Sequence, residues 1–219
     1  MLVVAALAAI GLPSALFGAS GAAAFESQYM DRGEQVADES FQATLQHFLD
    51  QGYIGAWTSR ALDGGADEYT LYAGWIRELN PLWTFDAGLT AFLVREAGES
   101  VEEGLEPYVG VTLEYLFRPA VYLYYDSENR HWVAEVFTSR EFKFAGGLSL
   151  AIDAYAGSVW TRRNNDPGWS YLGGAIDCIY AVGGGTTIRA GLRLSHRDTE
   201  RGDPATTHAW WGVSVSTDF

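Results

Sequence analysis

The sequence predicts an all-β protein, an up-and-down transmembrane antiparallel β-barrel of twelve strands. Three observations predict it. Segments of alternating apolar and polar residues recur along the chain, and such alternation marks a strand with two unlike faces. The connections between them mostly alternate short and long, as in barrels of the outer membrane. The tyrosines and tryptophans, 12 and 8 in number, gather near the proposed strand ends, where aromatic girdles meet the two membrane interfaces.

The first 24 residues stand apart. Met1 to Ala24 carry no charge and run from an apolar stretch through Gly11 and Pro13 to Ala22, Ala23 and Ala24. An apolar core before an A-x-A-like site is the pattern of a secretory signal peptide, so cleavage is expected between Ala24 and Phe25. The basic start of such a peptide is missing, and the true start is expected upstream. An uncleaved anchor is the alternative, weakened by Gly11, Pro13 and the small residues. Residues 25–219 then form one barrel domain.

Twelve segments carry the strand pattern: 27–33, 40–48, 52–59, 68–78, 82–93, 105–117, 120–126, 131–140, 147–159, 169–181, 186–197 and 207–218. In the sixth, Leu105, Val109, Val111 and Leu113 share one face, and Glu106, Tyr108, Thr112 and Glu114 the other. The fifth opposes Phe85, Leu89 and Leu93 to Asp86 and Thr90, and the ninth opposes Leu150 and Ile152 to Ser149 and Asp153. In the eleventh, Ile188, Ala190, Leu192 and Leu194 oppose Arg189, Arg193 and Arg197. Short connections are expected after the second, fourth, sixth and tenth strands, the last through Gly183-Gly184-Gly185. Longer ones are expected at 60–67, 94–104, 160–168 and 198–206, while 127–130 breaks the trend. A soluble β-sandwich would also alternate. Strand lengths near the roughly 9–11 residues that cross a bilayer at a tilt, and a last strand closing on Phe219, favour the barrel.

Charge and composition exclude several classes. With 14 basic and 28 acidic residues, net −14, the chain lacks a basic footprint for nucleic acid. A single cysteine, Cys178, rules out an internal disulfide and a multi-cysteine metal site. No cofactor and no metal site is expected.

The early strands carry a family pattern. Ser27, Tyr29, Arg32 and Gly33, then Gly52, Tyr53, Gly55, Trp57 and Ser59, then Glu68, Thr70, Tyr72 and Gly74 run in an order and spacing that resembles the TorF-like porins (Gcw_chp), a bacterial family of outer-membrane proteins. The resemblance implies a barrel and a location in the bacterial outer membrane; it names no cargo. A terminal Phe219 is similar to the carboxy-terminal signal handed to the barrel assembly machinery. Partners are therefore outer-membrane lipid, that machinery during biogenesis, and small hydrophilic solutes or ions.

Catalytic arrangements do not survive geometry. Ser195 and His196 are adjacent on a strand, so their side chains point to opposite faces and cannot act with Asp198 as nucleophile and base. His47, His131 and His208 are scattered. Gly183-Gly184-Gly185 lacks the Lys-Ser/Thr of a phosphate loop and reads as a turn. Glu96, Glu99, Glu102, Glu103 and Glu106 read as a solvated loop cluster, with a divalent-cation site as the alternative.

The polar faces point to function. Charges facing lipid near the midplane cost about 2–4 kcal/mol for Arg or Lys, so Asp86, Glu106, Glu114, Asp153, Asp177, Arg189, Arg193 and Arg197 are expected to line the lumen. Acidic and basic walls across an open lumen would give a channel for small hydrophilic solutes with weak cation preference. Bridged to each other they would close the barrel, giving a structural or adhesive protein without transport. A lipid-modifying enzyme lacks a constellation. Arg193→Glu is expected to leave folding intact and favour cations, and Leu192→Arg to impair insertion.

Overall fold

Alternation along the chain becomes one closed sheet. The computed structural model describes residues 18–96, 98, 100–161, 168–199 and 204–219; the greater part of the expected signal segment, residues 1–17, lies outside them, as does Glu99. In chain order the strands are β1 (Gly18–Glu26), β2 (Tyr29–Asp31), β3 (Glu34–Ala37), β4 (Ser40–Leu49), β5 (Gly52–Ala61), β6 (Asp67–Asn80) and β7 (Trp83–Arg95). They continue as β8 (Glu102–Leu113), β9 (Ala120–Asp126), β10 (His131–Lys143), β11 (Leu148–Thr161), β12 (Trp169–Gly183), β13 (Thr186–Thr199) and β14 (Thr206–Asp218). All but β2 and β3 form a closed antiparallel barrel of 12 strands, in which β1 pairs with both β14 and β4.

The two faces follow from period-two geometry. On β9, Ala120, Tyr122, Tyr124 and Asp126 are buried while Val121 and Leu123 are exposed. Leu45, Leu71, Val136, Ile176 and Leu192 are exposed on their own strands, an apolar outer surface suited to acyl chains. Trp75, Trp83, Trp132, Trp160 and Trp211 also face outward, as girdle residues do. Trp57 and Trp210 instead line the interior cavity, and Trp169 hydrogen-bonds an inward-folded segment. The girdle therefore accounts for only part of the aromatic content.

One expectation changes. The segment 27–33 is not a wall strand. Residues 29–37 form a separate two-stranded hairpin, β2–β3, turned through Arg32 (φ 47°) and Gly33 (φ 82°); positive φ at both central positions is the two-residue turn that matches strand twist. Tyr29, Met30 and Arg32 are buried, so the hairpin folds into the barrel instead of extending its sheet. The twelfth wall strand is β1, and the boundary expected at Ala24–Phe25 falls within it. Cleavage there would remove Gly18 to Ala24 and with them most of the pairing that joins β14 to β4. Amino-terminal sequencing of exported protein is expected to read a start at or before Gly18; a start at Phe25 would mean that the barrel closes without most of β1.

A smaller change lies after β8. Glu114 to Phe117 do not prolong that strand but form a turn, with φ of 67° at Phe117 and 39° at Arg118. The triple glycine makes the expected turn between β12 and β13, with positive φ at all three residues. The short connections sit at the end of the barrel that holds both described termini, and the hairpin enters from the long-loop end.

Candidate functional site: the barrel lumen

The interior is built from tyrosines laid across glycines. A Cβ on Gly74 would come within 2.4 Å of the Tyr53 ring, one on Gly55 within 2.3 Å of Tyr72, and one on Gly110 within 2.3 Å of Tyr122. Each glycine lets a ring from the neighbouring strand lie flat on the wall. The rings then pack edge to face or tilted, as Tyr53 on Tyr72 at 6.3 Å and Tyr108 on Tyr124 at 5.9 Å, within the range of favourable aromatic pairs.

Their hydroxyls hold carboxylates. Tyr53 and Tyr122 donate to the two oxygens of Asp86 at 2.8 and 3.1 Å. Tyr53 also shares a hydrogen bond with the hydroxyl of Tyr108. From the hairpin, Tyr29 donates to Glu68 Oε2 at 2.8 Å, and on the facing wall Tyr171 donates to Glu135. Buried carboxylates must be hydrogen-bonded or paired; here neutral hydroxyls satisfy three of them without cancelling their charge.

The arginines of β13 share one face, and each finds an acid. Arg193 bonds Asp177 Oδ1 at 2.7 Å and approaches Glu26 at 3.3 Å. Arg189 lies 3.5 Å from Asp177 and 3.8 Å from Asp153. Arg197 pairs with Glu34 of the hairpin and stacks over Trp169 at 4.5 Å. The Arg189 and Arg193 bridges run sideways along β1, β11, β12 and β13, not across the lumen as opposed walls would, while Arg197 reaches inward to the hairpin. Arg193 thereby links β13 to β12 and β1, contacts that a charge reversal at this position would break. Glu114 forms a two-pronged pair with Arg118 at the short-turn end.

A cavity of about 290 Å³ remains between the hairpin and the short-turn end. Asp86, Glu114, Asp153, Asp177, Arg189 and Arg193 all line it. Glu106 does not; it is buried against Arg32 of the hairpin at 2.6 Å, away from the exposed Glu102 and Glu103. Ser195 is buried, while His196 bonds Thr207. Among the described residues no group of three or more His, Cys, Asp or Glu could hold a metal ion.

No family model and no curated protein matches the chain. Solved structures do. The KdgM porin in complex with disordered oligogalacturonate is 10% identical, with 91% of this chain and 99% of that chain covered and a TM-score of 0.60. For the NanC porin the values are 11%, 92%, 98% and 0.55. For LpxR from Salmonella typhimurium they are 9%, 91%, 99% and 0.57. The fold is that of outer-membrane barrels. At these identities the likeness is one of architecture alone.

The hairpin and the tyrosine layer escape a reading of single strands. The parity of Tyr53, Tyr72, Tyr108, Tyr122 and Tyr171 with nearby polar residues marks the inward face, whereas their glycine partners emerge only from cross-strand register.

Proposed function

We propose that the protein is a narrow outer-membrane channel for small hydrophilic solutes with a preference for cations. The observation that carries the reading is the set of lumenal carboxylates, Glu68, Asp86 and Glu135, held by tyrosine hydroxyls. The β13 network adds to the same sign, because Arg189 and Arg193 face Glu26, Asp153 and Asp177. Excess charge of one sign within low-dielectric walls concentrates counter-ions. The oligogalacturonate of the KdgM complex is a polyanion, and this surplus of carboxylates argues for cargo of the opposite sign. Kinship with the TorF-like porins belongs to the same proposal. It is supported by the way the motif positions meet, Tyr29 packing on Trp57 at 5.6 Å and bonding Glu68. Hand-over to the barrel assembly machinery belongs to that proposal as well, in keeping with the closed barrel.

The hairpin within the lumen favours a second reading, a closed structural or adhesive barrel. Reversal potential in planar bilayers under a potassium chloride gradient decides between them. Wild type is expected to conduct with weak cation preference, lessened at high salt where mobile ions screen exposed charge over shorter distances. Absence of conductance supports the closed barrel, and anion preference overturns the charge argument.

A further inference from the structure

Near the long-loop end of the lumen a guanidinium is already held. Arg32 is carried there by the turn of the β2–β3 hairpin, which hydrogen-bonds as a sheet only to itself. Its Nη2 lies 2.6 Å from Glu106 Oε2, and its Cζ is 5.5 Å from the centroid of the Tyr124 ring. Glu135 and Tyr171 lie within electrostatic reach of the same group. Glu106 is 1% exposed and Glu135 3%, so both carboxylates depend on what the lumen places beside them.

Arg32 uses the site incompletely. Glu106 Oε1 and Arg32 Nε are both buried without a hydrogen-bond partner. A carboxylate and a guanidinium reach their strongest geometry in two parallel N–H···O bonds, and here only one oxygen of Glu106 is engaged. The side chain is delivered from a left-handed residue at a tight turn, and in that position it meets Glu106 with one prong. An untethered guanidinium carries no such backbone constraint on its approach.

We propose that Glu106, Glu135 and Tyr124 form a binding site for guanidinium-type cations, of which Arg32 is the tethered occupant, displaced when the hairpin lifts. Access of a solute through the lumen rests on the channel reading; the chemistry of the site does not. Contacts that hold the tip include the Arg32–Glu106 bridge itself, the Arg197–Glu34 pair, the Trp169 indole donating to the Arg32 carbonyl at 2.9 Å, and Gly33 pressed on Tyr171. The base is held separately, by Tyr29 donating to Glu68 and packing on Trp57, so the tip can lift about a base that stays in place. A methyl group on Gly33 would lie 2.8 Å from Tyr171 Cβ at a φ of +82°, which the tip cannot accept in place.

The test uses the full chain in detergent and in planar bilayers, with methylguanidinium chloride as probe. Folding is checked first by heat-modifiable gel mobility. Arg32→Ala empties the site and Gly33→Ala dislodges the tip with the arginine retained, so either suffices if the other fails to fold. Each is expected to bind methylguanidinium at least tenfold more tightly than wild type, with potassium at equal concentration unable to compete. Adding Glu106→Gln is expected to abolish the gain. Binding no tighter than wild type, or a gain that survives Glu106→Gln, overturns the site. A variant that binds the probe yet passes no current overturns the channel reading alone. A variant that conducts without binding the probe overturns the site and leaves the channel standing.

Discussion

Replacing Leu192 by arginine is expected to reduce insertion into lipid bilayers by roughly 30-fold or more. Leu192 lies midway along β13 (Thr186–Thr199) and is 69% exposed on the outer face. Its cross-strand neighbours are Ile176 and Trp211, so an arginine there meets only apolar surface and acyl chains. Arginine on the lipid face of a barrel costs about 2–4 kcal/mol at the midplane, and about 1.4 kcal/mol is a factor of ten in an equilibrium constant. The folded fraction in lipid vesicles, read by heat-modifiable mobility across a urea titration, measures it, with Leu192→Ile as the control expected to match wild type. A Leu192→Arg protein that inserts as well as wild type would show that this face does not meet lipid.

The same periodicity explains what could be read before the structure. Strands β4 to β14 carry enough branched and aromatic residues for alternation to show in each, and all of them fall on expected segments. β1 was hidden because its sequence is GASGAAAFE. Alanine and glycine suit a strand wall and a signal-peptide cleavage region equally well, and the strand shows only in its pairing with β14 and β4, which no local pattern displays. The hairpin hides for the converse reason. Residues 27–33 alternate as a wall strand would, but the left-handed pair Arg32–Gly33 reverses the chain after three paired residues. Within the site, the inward direction of Asp86, Asp153, Asp177 and the β13 arginines was legible from parity. Their partners were not, since Arg193 meets Glu26 across 167 positions of sequence, and Arg32 meets Glu106 only because a hairpin carries it inside.

Arg193→Glu is expected to destabilise the barrel by about 3–5 kcal/mol, the cost of breaking a buried ion pair by removing one partner. The guanidinium is 15% exposed and lies between Asp177, 1% exposed, and Glu26, 14% exposed. Its loss leaves Asp177 with Arg189 at 3.5 Å as its remaining cation, and the introduced carboxylate adds a fourth negative charge beside Glu26, Asp153 and Asp177. Glu26 keeps one hydrogen bond, from the indole of Trp210 at 3.1 Å, which cannot offset like-charge repulsion. Removing both members of the closest pair is a different change. Arg193→Gln combined with Asp177→Asn exchanges charges for neutral hydrogen-bonding groups of similar size and is expected to recover part of the loss, because it removes the orphaned charge of Asp177 and leaves Glu26 with the Trp210 indole alone. Unfolding midpoints in urea for wild type, Arg193→Glu and the double variant measure this, with reversal potential recorded on whatever fraction inserts and expected to move toward cations. Equal midpoints for wild type and Arg193→Glu would mean that water in the lumen hydrates these groups freely, and that the bridges along β13 shape the field inside the barrel without holding its wall together.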